Sequence, residues 1–180
     1  MTAATGPLVL WVLFGSWVVH DAEELVVGPG WLARHEARLE SLAAESPAAR
    51  RFLDVLERDR GPLAVAIGVI GVFVLVATVL GYLDPRGWGM LVYVTILGGF
   101  ALHVGVHVAQ AVVLRGYVPG LVTGVVVVVP ACAYLYVVLL GEGYVSPATA
   151  VVTAVVGLAV VVPTAVVAHA VGRRVAAPAR

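Results

Sequence analysis

A helix needs about 20 mainly apolar residues to cross the hydrocarbon core of a bilayer. This chain of 180 residues offers five such stretches, at roughly 7–27, 62–83, 89–114, 119–141 and 148–171. The turn-like segments "LDPRGWG", "RGYVPG" and "GEGYVSP" separate the second to fifth stretches from one another. The expected fold is therefore all-α: one membrane domain over residues 1–180, built as a polytopic bundle of five transmembrane helices. Composition agrees, with 61% hydrophobic and 12% charged residues, whereas soluble domains are about half apolar and about a quarter charged. The first stretch reaches spanning length only if its acidic cluster is counted as helix. Its apolar part, Pro7 to Val19, stops short.

Arginine placement sets the expected orientation. Arg34, Arg38, Arg50, Arg51, Arg58 and Arg60 lie between the first and second stretches, Arg115 between the third and fourth, and Arg173, Arg174 and Arg180 after the fifth. Arg86 alone falls on the other side. The excess of basic residues in cytoplasmic loops then puts the N-terminus outside and the C-terminus in the cytoplasm of a multi-pass cell-membrane protein. No basic flank precedes the first apolar stretch, so it reads as an anchor rather than a cleaved signal. Formal net charge is zero, and no phosphate-binding loop or basic stripe is present, which argues against nucleic-acid binding and nucleotide hydrolysis. Cys132 is the single cysteine, so an intrachain disulfide is excluded.

Residues 28–61 read as a cytoplasmic interfacial segment of two amphipathic helices. Trp31, Leu32, His35, Leu39 and Leu42 recur at helical spacing. Pro47 then opens a second short helix carrying Phe52, Leu53 and Leu56. Gly120 and Gly124 form a small-xxx-small pair suited to close helix packing. Pro130 and Pro163 are expected to kink the last two spans. Tyr82, Trp88 and Tyr144 mark the outer interface; Trp31 and Tyr117 mark the inner one.

The first span sets down His20, Asp21, Glu23 and Glu24 where the rest of its residues are apolar. On an ideal helix Glu23 lies about 60° to one side of His20 and Glu24 about 40° to the other, so the three share a face and Asp21 points further round. An imidazole and a carboxylate at i,i+4 with a second carboxylate beside them is the arrangement a metal-ligating helix needs. The third span carries "LHVGVHVAQ", where His103 and His107 are i,i+4 and Gln110 continues their face. His20 and His107 each precede the cytoplasmic end of their helix by roughly 10 Å at 1.5 Å per residue, and both helices run inward. The groups are thus placed to meet at one depth. His169 sits at the cytoplasmic end of its span as an optional further member. A lone intramembrane histidine ordinarily just hydrogen-bonds to a neighbour, which is the plain reading of His169 and His35, and Asp21 faces away. An unpaired acid in the membrane costs ~2.5–3.5 kcal/mol, so Glu23 and Glu24 call for protonated histidines, Arg115 or a divalent cation as balance.

These residues resemble a known family. His20-Asp21-Ala22-Glu23-Glu24 followed by Pro29 and Trp31 is similar to the opening of the HXXEE-motif integral membrane proteins. The stretch "LHVGVHVAQAVVLRGYVPGLVTGV" resembles the family's second signature, paired histidines followed by Gln and a Tyr-x-Pro-Gly turn. The resemblance points to His20, Glu23, Glu24, His103, His107, Gln110, Tyr117, Pro119 and Gly120, and names no reaction.

The expected function is a membrane-embedded metal-dependent enzyme whose site opens toward the cytoplasm. His20, Glu24, His103 and His107 would ligate zinc, iron or manganese, for which mixed imidazole and carboxylate donors are suited. Glu23 would act as general base or bridging carboxylate, with Gln110, Tyr117 and His169 as further site candidates. The partners are membrane lipid and an apolar small-molecule substrate entering from the bilayer. Two other classes would also place Glu and His inside a bundle: a proton- or ion-coupled transporter and a bis-histidine haem protein. A Soret band would mark haem, colourless bound metal would mark zinc chemistry, and pH-dependent vesicle uptake by metal-free protein would mark transport.

Overall fold

Where side chains are mostly Val, Ala, Leu and Gly, little competes with the backbone for its own hydrogen bonds, and each apolar stretch closes into a helix. The computed structural model describes residues 7–47, 50, 53–54 and 56–176. A 3-10 turn, Pro7–Leu10, leads into α1 (Trp11–Glu45). It is followed by α2 (Arg60–Leu83), α3 (Trp88–Leu114), α4 (Leu121–Gly141) and α5 (Pro147–Ala176). Among the described residues there is no strand. The four helices α2 to α5 are long and apolar enough to cross a membrane. Helix α1 has the length, but Asp21, Glu23 and Glu24 interrupt its apolar half.

The helices alternate in direction, and contacts at the two ends of the bundle show it. At one end the Tyr93 hydroxyl at the start of α3 donates to the Leu10 carbonyl at 3.0 Å, and Arg86 lies 5.6 Å from the ring of Tyr144. At the other end Trp31 Nε1 donates to the Tyr117 carbonyl at 2.8 Å, Arg60 donates to the Val26 carbonyl at 3.1 Å, and Arg173 meets Glu57 at 2.7 Å. The α1–α2 connector, the α3–α4 loop and the end of α5 therefore share one end of the molecule. Small residues bring α5 against α3: a Cβ added at Gly99 would sit 2.8 Å from the Gly157 carbonyl oxygen, and one at Gly98 would sit 2.8 Å from the Ala154 side chain. Close approach of this kind is how helices associate where lipid removes the hydrophobic drive between them.

Two expectations are corrected. The first interfacial helix is not separate from the first span: α1 runs unbroken through Pro29 for 35 residues, or about 52 Å at 1.5 Å per residue. That exceeds the ~30 Å hydrocarbon thickness of a bilayer. Proline removes one helical hydrogen bond, and tertiary contacts hold the helix across that gap. Trp31, Leu32, Leu39 and Ala43 are buried against Leu53, Leu114 and Val118. Of the second short helix, residues 47, 50, 53 and 54 are helical, Leu56 is not, and Phe52 lies outside the described residues, as do Arg51 and Arg180. The expected small-xxx-small pair packs closely at Gly124, where a Cβ would lie 3.1 Å from Val104 Cγ1, but its other glycine is not within the helix. Gly120 lies in the turn before α4, at φ +80°, and Gly124 opens a π-helical turn, Gly124–Val128. Val129 follows that turn and its N–H reaches back to the Gly124 carbonyl, while Pro130, the next residue, has no N–H to offer. Helix α5 continues through Pro163.

Candidate metal centre

The site forms where α1, α3 and the first turns of α4 cross. His20 is almost fully buried on α1, with its ring edge-on to Phe100 at 5.6 Å between centroids. One turn on, Glu24 Oε1 lies 3.6 Å from His20 Nε2. Helix α3 presents His107 Nε2 at 3.1 Å and His103 Nε2 at 4.0 Å from that same oxygen, and the two Nε2 atoms are 2.9 Å apart. Three imidazole nitrogens thus converge on one carboxylate oxygen, and one donor atom from each residue lies within 4.8 Å of all the others. Bonds of 2.0–2.1 Å to a tetrahedral ion would place donors about 3.3 Å apart, and the observed spacings bracket that value. His20, Glu24, His103 and His107 are a donor set able to hold one divalent ion.

Two features fit that assignment. His20 Nε2 is buried without a hydrogen-bond partner among the described residues, although buried polar atoms are normally paired. The backbone at Gly120 also approaches the donors closely: a Cβ there would lie 2.7 Å from Glu24 Oε1, 2.7 Å from His107 Cε1 and 2.9 Å from His20 Cε1. Glycine is thus required both by its left-handed φ and by the space. The loop before α4 closes one side of the cluster with bare backbone.

Glu23 takes a different direction from Glu24. Its Oε1 accepts from the Tyr117 hydroxyl at 2.5 Å, and its Oε2 accepts from the Thr123 backbone N–H at 2.8 Å and the Thr123 hydroxyl at 2.6 Å. Thr123 Oγ1 also stands 3.1 Å from His20 Nδ1. Burial, and then donation to the Glu23 carboxylate, hold the Tyr117 phenol above its ordinary pKa, so it remains a donor throughout the neutral range. Thr123 was not anticipated from sequence. Its one signal was position, the first polar residue after the Pro119-Gly120 turn.

The remaining candidates lie elsewhere. Gln110 is half-buried on α3 outside the four-residue group. His169 Nδ1 lies 3.4 Å from Glu57 Oε1, which Arg173 also meets, so it belongs to a separate group. His35 stacks on Trp31 and donates Nδ1–H to the Trp31 carbonyl at 2.8 Å. Asp21 is buried yet not part of the four. Arg115 forms no ion pair with Glu23 or Glu24; among the described residues Glu24 pairs with imidazoles alone.

A family model for a protein of unknown function with HXXEE motif matches residues 11–135. The chain belongs to this family. In the HXXEE chain the motif is His20-Asp21-Ala22-Glu23-Glu24, and the matched region holds His103, His107, Tyr117, Gly120 and Thr123 as well. It ends within α4, so α5 and His169 fall outside it. No curated protein and no solved structure matches the chain.

Proposed function

We propose that this HXXEE protein is a five-span membrane protein that binds one zinc, iron or manganese ion through His20, Glu24, His103 and His107, and that it acts as an enzyme on a lipid or other apolar substrate. The observation that carries the reading is the convergence of three Nε2 atoms on Glu24 Oε1, with no arginine among the described residues to answer that carboxylate's charge. A half-buried carboxylate set among imidazoles without a permanent cation is stabilised by a divalent one. Such an ion, when bound, polarises a carbonyl or phosphoryl oxygen and lowers the pKa of water.

Exposure around the four residues is uneven. His20 and His107 are closed off at 1% and 7% side-chain exposure, while Glu24 and His103 retain 24% and 33%. His103 is flanked on α3 by exposed Leu102 and Val106. Exposed apolar side chains on a spanning helix face lipid, so the accessible side of the centre looks toward the acyl region. That supports a substrate arriving through the bilayer. The general-base role expected of Glu23 requires Tyr117 and Thr123 to release its oxygens first.

The grouping of Arg60, Arg115 and Arg173 with one end of the bundle supports a cytoplasmic position for that end. The N-terminus would then face outward. Elemental analysis of detergent-purified protein tests the metal reading. Wild type should carry stoichiometric metal and Glu24→Gln should carry none. Metal-free wild type, or metal retained in Glu24→Gln, would overturn the ligand set.

A further inference from the structure

We propose that Glu23 and Thr123 are positioning residues that fix His20 as its Nδ1–H tautomer and so present the Nε2 lone pair to the ion in advance; this rests on the metal-site reading above. The argument follows from counting protons. A carboxylate only accepts, and a threonine hydroxyl has one hydrogen to give. Glu23 Oε2 takes that hydrogen from Thr123 at 2.6 Å. Thr123 Oγ1, 3.1 Å from His20 Nδ1, is then left with lone pairs alone on that side. The contact is a hydrogen bond only if Nδ1 carries the proton. In a neutral imidazole Nε2 is then bare, and it is this atom that is buried, unpartnered and 3.6 Å from Glu24 Oε1.

The carboxylate is itself immobilised. Tyr117 Oη and the Thr123 backbone N–H hold it from two further directions, and Tyr117 is in turn fixed through its carbonyl by Trp31. Metal-bound histidines ordinarily donate their second N–H to a carboxylate, carbonyl or water, which sets the tautomer and raises ligand basicity. Here a threonine hydroxyl stands between imidazole and carboxylate. The two adjacent glutamates of the motif thereby divide the work. Glu24 contributes a donor atom to the ion, and Glu23 orients the histidine one turn before it.

Two measurements test this. Nitrogen-15 spectra of histidine-labelled, metal-free protein at neutral pH, with His20 assigned by loss of its signal in His20→Gln, should show a neutral ring protonated at Nδ1. Thr123→Val should abolish that preference, and Thr123→Ser should restore it. In competition titrations with zinc and a chelator, Thr123→Val and Glu23→Gln should bind about 10–100-fold more weakly, with Thr123→Ser close to wild type. A His20 ring protonated at Nε2, or doubly protonated, would overturn the proposal, as would a folded Thr123→Val with unchanged zinc affinity. A wild-type protein showing the Nδ1–H tautomer but binding no metal would overturn the metal reading while leaving the relay standing.

Discussion

Among the described residues two groups set histidine against glutamate, and they differ in what balances the carboxylate. At the end of α5, Glu57 meets His169 at 3.4 Å and Arg173 at 2.7 Å. Arg173 is half exposed there, and the charge is answered by a permanent cation. At the crossing of α1 and α3, Glu24 meets three imidazoles and, among the described residues, no arginine, and two of those imidazoles are nearly closed off from the surface. In the first arrangement a permanent cation already balances the carboxylate, although His169 Nδ1 itself has no hydrogen-bond partner among the described residues. The second gathers three imidazole nitrogens and one carboxylate oxygen around a common point, a set of atom types that a divalent cation takes as ligands. A histidine beside a glutamate is therefore not in itself a site. The difference lies in whether a fixed positive charge is already present.

The largest test of this contrast is to remove one histidine from each group. His107→Ala should strip essentially all metal from purified protein, whereas His169→Ala should leave metal content at the wild-type level by elemental analysis. Equal loss in both would erase the distinction. Next, Gly120→Ala forces a Cβ toward Glu24 and His107 at a φ of +80°. A left-handed conformation costs a non-glycine residue ~1–2 kcal/mol, so the midpoint of thermal unfolding should fall and zinc affinity should drop with it. Wild-type affinity in that variant would show that the loop does not press on the donors. A smaller effect is expected for Trp31→Phe, which loses the bond to the Tyr117 carbonyl and part of the indole's packing while keeping an aromatic ring in place. A net cost of ~0.5–1.5 kcal/mol should appear as faster exchange of the amides in 115–120. Smallest of all, Arg58→Ala removes exposed ion pairs to Glu36 and Glu40, worth about 0.2–1 kcal/mol. Its effect should fade in high salt and leave metal content untouched.

Much of the site was legible in the chain because helices impose local geometry. His20 and Glu24, like His103 and His107, are i,i+4 pairs, and that spacing puts each pair on one face wherever the helix is placed. The lengths of the apolar runs located the helices in the same way. What lay beyond reach came from contacts between residues far apart in sequence. Thr123 joins His20 across 103 positions, and nothing in "PGLVTG" announces which imidazole it will meet. The continuation of α1 through Pro29 was likewise hidden. Proline disfavours helix locally, and the compensation comes from Trp31 reaching a carbonyl 86 residues away.

By itself the sequence determined that the chain forms long apolar helices, and on which faces of two of them imidazoles and carboxylates lie, since both follow from the 3.6-residue period and the length of hydrophobic runs. Only the tertiary structure decided that Glu24 turns to the histidines while Glu23 turns to Tyr117 and Thr123. Adjacent residues on a helix lie about 100° apart, so which of them faces inward depends on how neighbouring helices are rotated and how closely they approach. Those quantities are set by packing over the whole bundle, and no short stretch of the chain contains them.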